Sequence, residues 1–114
     1  MPYDIPKLAA IGPAEIERFN EDGFLVFERV LSEDRIEALR ARFPELFAGR
    51  FDTGIYPDEW YWREGMSLPD VTRHMSNAWK ADLTVAKLAL SPDIGRAACA
   101  LTGWDGVRIG VDTI

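Results

Sequence analysis

The feature that most constrains the fold is an alternation of apolar and polar residues in the C-terminal run VRIGVDTI. From Val107 to Asp112 every second residue is apolar, which is the period of a half-buried β-strand. One other run, FLVFERV at 24–30, is apolar on both faces and is typical of a short buried strand. Two strands separated by a long helical stretch form only a marginal sheet by themselves. The sequence therefore predicts an α+β chain whose sheet is incomplete.

Two helices are predicted in the first half of the chain. GPAEIERFNEDG predicts a helix that begins at Pro13 and ends at Gly23. Ser32 is the expected cap of a second helix, which carries an apolar stripe at helical spacing and ends at Gly49. Pro44 lies inside this stripe and lacks a backbone donor, so we expect a kink or a restarted turn there.

Two more helices are predicted towards the C-terminus. Asp82 is the expected cap of a helix over DLTVAKLAL, with Leu83, Ala86 and Leu90 facing inward. SPDIGRAACALTG predicts the next helix, with a serine cap, a first-turn proline and a terminal glycine. The residues expected in the buried core share an apolar side chain at an inward position of a predicted helix or strand. They are Phe19, Phe24, Leu25, Val26, Ile36, Leu39, Phe43, Leu101 and Val107.

Composition excludes several classes of function. The chain has 114 residues, with 13 Lys and Arg against 19 Asp and Glu and a formal net charge of −6, which disfavours binding to a nucleic-acid backbone. No apolar run approaches the roughly 18 residues of a membrane span, and the first ten residues lack the features of a signal peptide. The single cysteine, Cys99, cannot form an internal disulfide. We therefore expect a cytoplasmic protein with no nucleic-acid or membrane partner.

Residues 50–76 have no sustained hydrophobic period and are interrupted by glycines and prolines. Irregular segments of this length in a compact domain are usually functional or disordered, and the aromatic content here argues against disorder. Trp60 and Trp62, within YPDEWYWREG, are candidates for the wall or lid of a small-molecule pocket. The alternative is an aromatic plug that closes one end of the core.

The run RHMSNAWKAD supplies the other candidate pocket residues, His74, Asn77, Trp79 and Lys80. His74 is the only histidine, and three interpretations stay open for it: a metal ligand, a general base or a polar group in a loop. Asn77 is equally interpretable as a helix cap. No second metal ligand lies at a suitable spacing, and no acidic pair is marked as an acid–base pair. The sequence therefore assigns no catalytic residue and no metal ligand.

The stretch EIERFNEDGFLVFERVLSEDRIEALRARF resembles the opening of the phytanoyl-CoA dioxygenase family of non-haem Fe(II)- and 2-oxoglutarate-dependent oxygenases. The resemblance rests on Phe19, Gly23 and Phe24, on the apolar run 25–27, and on the Val-Leu-Ser at 30–32 that leads into a helix. It resumes at LALSPDIGRAACALTGWDGVRIGVDTI, which is similar to the family's helix before the first strand of its jelly roll.

The resemblance implies that residues 1–114 are a single incomplete domain, the mainly helical N-terminal portion of a double-stranded β-helix (jelly roll) with two or three short strands. It implies Fe(II) and 2-oxoglutarate as cofactors of a parent oxygenase that hydroxylates a small organic substrate. The family holds its iron with an H-x-D motif and a distant histidine, whereas His74 is followed by Met75 and Ser76. We therefore expect the metal-binding part to be absent and no cofactor to be bound by this chain alone.

Two hypotheses from different classes follow. In the first, the chain is the N-terminal fragment of such a dioxygenase and is inactive on its own. In the second, it is a free-standing, non-catalytic helical interaction module. The predicted strand at 107–113 favours the first, because a finished domain rarely ends on an open apolar edge. Unpaired backbone groups along that strand also predict self-association through residues 107–113.

Overall fold

A computed structural model describes residues 1–114 as five α-helices, a 3₁₀ helix and a two-stranded antiparallel sheet. The sheet pairs β1 with β2, and the 3₁₀ helix directly follows β2. None of the helices has the length and apolar character that crossing a membrane requires. In chain order the elements are α1 (Pro6–Ala9), α2 (Pro13–Asp22), α3 (Glu33–Phe47), β1 (Glu59–Trp60), β2 (Met75–Ser76), the 3₁₀ helix (Ala78–Lys80), α4 (Leu83–Ala89) and α5 (Pro92–Thr102).

Helices α2 to α5 confirm the four predicted helices, and the short α1 is additional. Helix α3 runs through Pro44 to Phe47 as one element, so the predicted restart is wrong. The helix then ends in a Schellman arrangement, in which the Gly49 N–H donates to Leu46 O and the Arg50 N–H donates to Glu45 O, both at 2.9 Å. Proline therefore costs α3 one hydrogen bond without ending it.

The buried core lies between the C-terminal end of α3, β2, the 3₁₀ helix and α4. Leu46 and Met75 have no exposed surface at all. Partly buried aromatic rings, including Phe51, Trp60 and Trp79, pack around this centre. The six residues of the buried core cluster are Leu46, Phe47, Met75, Ala78, Ala81 and Val85.

The predicted buried set is wrong as a description of this core. Phe24 and Val26 are 62% and 72% exposed, Val107 is exposed as well, and the other six members are only partly buried. Residues 24–30 form no strand, and alternate residues of the run, Leu25 and Phe27, are partly buried. Only one side of this extended segment is therefore covered, whereas the sequence predicted burial on both sides.

The inward face predicted for α4 is also wrong. Leu83 and Leu90 are exposed, and Val85 is the residue of α4 that enters the core. The cap prediction is confirmed, because the Asp82 carboxylate accepts hydrogen bonds from the backbone N–H groups of Thr84 and Val85. Asp82 is itself fully buried, so the cap fixes α4 with Val85 rather than Leu83 towards the core.

The predicted strand at 107–113 forms only at its end. Ile114 exchanges two backbone hydrogen bonds with Met75, at 3.0 and 3.1 Å, and Asp112 O accepts from the Asn77 N–H at 2.8 Å. Residues 112–114 therefore lie antiparallel beside β2. The prediction that the C-terminal strand has no pairing partner within the chain is wrong for these three residues. Residues 106–111 have no turn, no bend and no backbone hydrogen bond. With α5, residues 104–109 line an open groove of about 710 Å³.

Candidate functional site

Polar side chains from distant parts of the chain meet where β2 ends. Asp58 immediately precedes β1, Asn77 immediately follows β2, and Asp112 lies in the segment that pairs with β2. Because β1 and β2 are antiparallel, the residue before one strand lies beside the residue after the other. Lys80, at the end of the 3₁₀ helix, reaches back to the same place. We call Asp58, Asn77, Lys80 and Asp112 the polar cluster.

Asn77 is the centre of the polar cluster. Its backbone has a left-handed φ of 56°, a conformation that asparagine tolerates better than most residues, and this turns the chain from β2 into the 3₁₀ helix. The side-chain Nδ2 donates to Asp58 Oδ2 at 2.6 Å, and Oδ1 accepts from the Trp79 indole N–H and the Asp112 backbone N–H. Asn77 occupies the cap position, but its side chain makes no capping hydrogen bond. The cap interpretation of this residue is therefore wrong.

Lys80 and Asp58 form the ion pair of the polar cluster. The ammonium Nζ lies 2.7 Å from Asp58 Oδ1 and 2.9 Å from Oδ2. Hydrogen bonds from Lys80 and then from Asn77 lower the pKa of Asp58 below its ordinary value. The same ammonium lies 5.9 Å from the centroid of the Trp79 ring. Lys80 is therefore paired with Asp58 within the cluster.

Asp112 has an environment opposite to that of Asp58. Its Oδ1 accepts the Trp79 backbone N–H at 3.3 Å. Its Oδ2 is buried and has no hydrogen-bond partner. Burial raises the pKa of Asp112, and the nearby charge of Asp58 raises it further. The polar cluster thus contains one carboxyl group with a lowered pKa and one with a raised pKa.

Trp60 does not join the polar cluster. Its indole N–H donates to Phe47 O at 3.1 Å, and its ring meets Phe51 edge-on with centroids 5.1 Å apart. A Cβ atom at Gly49, whose φ is 82°, would lie 2.5 Å from the Trp60 ring, so glycine is needed there for both backbone and space. These contacts favour the aromatic plug over the pocket wall for Trp60.

Trp62 is also held by local contacts. Its indole N–H donates to Leu68 O at 2.9 Å, and the guanidinium of Arg73 stacks 3.6 Å from the ring centroid. Both interactions fold residues 62–73 back on themselves and leave Trp62 away from the polar cluster. Of the six candidate pocket residues, the structure brings together Asn77, Trp79 and Lys80.

His74 lies on the exposed surface of the hairpin. Its Nε2 is 3.5 Å from Glu59 Oε2, and the same oxygen accepts the Ser76 hydroxyl at 2.8 Å. An iron site of the type implied by the resemblance needs two histidines and a carboxylate on one face. The structure brings one histidine and one carboxylate together, and no group of three or more potential ligands is present. These residues do not fit an iron site.

The polar cluster joins β1, β2 and the C-terminal segment through hydrogen bonds and one ion pair. Sequence reasoning missed Asp58 and Asp112, because Asp58 looked like one of several adjacent surface acids and Asp112 like a solvent-facing strand residue. The signal that identifies them is the pairing of β2 with both neighbours, which no spacing in the sequence shows.

Part of this chain is similar to a protein of the phytanoyl-CoA dioxygenase class. That relative is Phytanoyl-CoA dioxygenase domain-containing protein 1 of Bos taurus, with 44% identity over 41 residues. The match covers 36% of this chain and 14% of the relative, so the chain spans far less than two-thirds of that protein. No family model and no solved structure matches the chain. This partial match agrees with the resemblance, and it covers about a third of the chain.

Proposed function

We propose that this chain forms the N-terminal helical part of a phytanoyl-CoA dioxygenase-like protein, where it supports a jelly-roll domain and lines part of a substrate pocket. The observation that carries the proposal is the 44% identity over 41 residues to a protein of that class. The exposed apolar residues at 24–26 and 104–111 support it, because side chains such as Phe24 and Trp104 would gain stability from cover by further structure.

In this role the chain supplies walls and supports, and the chemistry lies elsewhere in the whole protein. Fe(II) and 2-oxoglutarate are the proposed cofactors of that oxygenase, and a small organic molecule is its proposed substrate. The metal ligands would come from residues outside 1–114, since His74 has only Glu59 beside it. Trp79 and Lys80 would face the pocket, since both lie in or beside the polar cluster at the junction of β2 and the C-terminal segment.

The first test is a titration of the 114-residue chain with Fe(II), or with Mn(II) as a surrogate, with and without 2-oxoglutarate. We expect no tight, 2-oxoglutarate-dependent binding by isothermal calorimetry. His74→Ala is the matched control and should leave any weak heat unchanged. Micromolar binding that needs 2-oxoglutarate and disappears in His74→Ala would contradict this assignment of roles.

The second test examines the gene beyond the codon for Ile114. The proposal expects an encoded H-x-D or H-x-E motif and a later histidine, in frame or after a frameshift. The longer product should form succinate from 2-oxoglutarate in the presence of Fe(II), and a variant lacking the motif histidine should not. A gene without such a motif would exclude the proposal.

A second candidate is a free-standing, non-catalytic helical interaction module. It is favoured by the pairing of residues 112–114 with β2, which lets Ile114 pack on the core within this chain. Urea unfolding of the 114-residue chain distinguishes the two. A single cooperative transition of a stable monomer favours the module, whereas gradual loss of structure favours a part that needs the rest of a larger domain.

A further inference from the structure

We propose that residues 107–113 pair as an antiparallel strand with the same residues of a second copy of this chain, in the register that places Gly110 opposite Gly110. The pairing concerns the 114-residue chain by itself, and further structure of the kind proposed above would compete with a second copy for the same edge. The pairing is carried by an open backbone edge and by a self-complementary order of side chains.

The open edge follows from the hydrogen bonds that residues 112–114 already make. Asp112 O and both backbone groups of Ile114 point towards β2. In an antiparallel ladder, successive residues direct their backbone groups to opposite sides. The N–H and C=O groups of Val111 and Thr113 therefore point away from β2, and they make no hydrogen bond in the structure. A further strand can add along this side.

The order of side chains fits a second copy in one register. With Gly110 on the two-fold axis, Arg108 lies opposite Asp112 of the second copy, and Ile109 lies opposite Val111 of the second copy. By symmetry each of these pairs occurs twice. The Arg108–Asp112 pairs fall at non-hydrogen-bonded positions, where opposing side chains are closest and opposite charges stabilise the pair. A shift of two residues places Arg108 opposite no acid and loses both pairs.

Charge gives each chain one cation and one carboxyl group, neither of them in an ion pair, at the matching positions of this contact. Arg108 is exposed and makes neither an ion pair nor a hydrogen bond. Asp112 Oδ2 is buried without a hydrogen-bond partner. Asp112 makes no ion pair within its own chain, and a guanidinium placed opposite it brings a positive charge close to this carboxyl group. It also offsets part of the repulsion between two chains that each carry a net charge of −6.

The absence of a side chain at Gly110 suits its position on the two-fold axis of the proposed pair. A Cβ atom at this position would meet nothing within 4 Å, and its φ lies outside the left-handed range. The single chain therefore has no structural need for glycine here. At the axis of the pair, the missing side chain leaves room for the two flanking arginine–aspartate pairs.

The association is tested first by sedimentation equilibrium of the 114-residue chain. One added strand buries less area than a standard interface, so a dissociation constant of about 10⁻⁴ M is expected. The concentration series therefore runs from about 10 μM to about 1 mM, on both sides of that value. Arg108→Glu should weaken the dimer at least about tenfold, a loss of about 1.4 kcal/mol. Val111→Pro should abolish it, because it removes an N–H that points at the second copy. Arg18→Glu makes the same charge change on an exposed residue of α2 and should leave the dimer unchanged.

The register is tested by disulfide trapping in a Cys99→Ser background. Gly110→Cys should form a covalent dimer under mild oxidation, because a residue on the axis faces its own copy. Arg108→Cys should not, because it faces Asp112. A chain that stays monomeric over the whole series would overturn the proposal and assign the edge to another occupant. Trapping at residue 108 rather than 110, or equal weakening by Arg18→Glu and Arg108→Glu, would overturn it as well.

Discussion

Two regions of this molecule are built in different ways. The inner region comprises the C-terminal end of α3, both strands, the 3₁₀ helix and α4, and it contains six of the eight buried apolar residues other than proline. The outer region comprises residues 1–31, α5 and residues 104–111, and it contributes only Ile5 and Ala97. Exposed Phe24 and Trp104 also lie in the outer region. Apolar content alone therefore does not decide where the core forms.

The outer region is held largely by hydrogen bonds between distant backbone and side-chain groups. Asp93 accepts the Ile5 N–H at 2.6 Å, and the Ser91 hydroxyl donates to Tyr3 O at 2.7 Å. The inner region also uses hydrogen bonds, but there the indole N–H groups of Trp60 and Trp79 are satisfied while their partly buried rings pack against the apolar centre. An aromatic ring with a polar edge can thus be buried within an irregular segment, whereas an extended apolar run needs neighbouring strands.

The largest contrast is expected for truncations of apolar side chains. Leu46→Ala should lower the free energy of unfolding by about 2–5 kcal/mol, because Leu46 has no exposed surface and its removal leaves a cavity. Phe24→Ala should cost less than about 1 kcal/mol although it removes more atoms, because Phe24 is 62% exposed. Urea unfolding measures both. Equal losses would show that the outer region is packed as tightly as the inner one.

The second contrast concerns buried acidic groups. Asp82 caps α4 and accepts Arg42 Nε at 2.6 Å. Asp82→Ala should cost about 2–3 kcal/mol, below the usual 3–5 for breaking a buried pair, because Arg42 stays partly exposed and can be hydrated. The matched change Arg40→Ala breaks only the exposed Arg40–Glu37 pair and should cost less than about 0.5 kcal/mol. A loss at Arg40 as large as that at Asp82 would contradict this distinction.

Removing the Asp93 carboxylate from the outer region is expected to change the rate of proteolysis rather than the packing of the inner region. Asp93→Ala removes the acceptor of the Ile5 N–H, so it should free the N-terminal residues from α5 without unfolding the inner region. Limited proteolysis should then cleave within the first dozen residues faster than in the unmodified chain, while the near-ultraviolet circular dichroism of the inner tryptophans stays the same. Loss of that signal together with faster cleavage would show that the two regions unfold as one unit.

The difference between the regions also explains what the sequence could and could not predict. The helices were predictable because caps, first-turn prolines and terminal glycines act locally, as at Asp82 and Gly103. The core was not, because Met75 and Trp60 lie in a segment without periodicity and are buried by contacts across the hairpin. Asn77 and Lys80 were selected for their chemistry, but their meeting with Asp58 depends on strand pairing, a long-range contact that residue spacing does not encode.

A smaller contrast separates two glycines with similar backbone conformations. Gly49 and Gly54 have φ values of 82° and 73°, but only Gly49 lies against another group, the Trp60 ring. Gly54→Ala should cost about 1 kcal/mol from backbone strain alone. Gly49→Ala should cost about 1 kcal/mol more and should shift the tryptophan fluorescence, because Trp60 must move. Identical costs with unchanged fluorescence would remove Trp60 from the inner region as a fixed element.

The smallest expected effect lies within the polar cluster. The pKa of Asp58 is lowered by Lys80 and Asn77, so its pairing stabilises the fold above the ordinary aspartate pKa of about 3.9, and this contribution is lost as pH falls through the lowered pKa. The pKa of Asp112 is raised by burial, so its contribution to stability is present while the carboxyl group is protonated and is lost as pH rises through the raised pKa.

Asp112→Asn keeps the acceptor for the Trp79 N–H and removes the buried charge. This variant should therefore be more stable than the unmodified chain near neutral pH, and it should lose less stability as pH rises above the ordinary aspartate range. Asp58→Asn should destabilise the chain near neutral pH and remove part of the acid-induced loss. Urea unfolding between about pH 3 and about pH 7 measures both. If Asp112→Asn destabilises the chain near neutral pH as Asp58→Asn does, then the charge on Asp112 anchors the C-terminal segment to β2 instead of opposing its attachment.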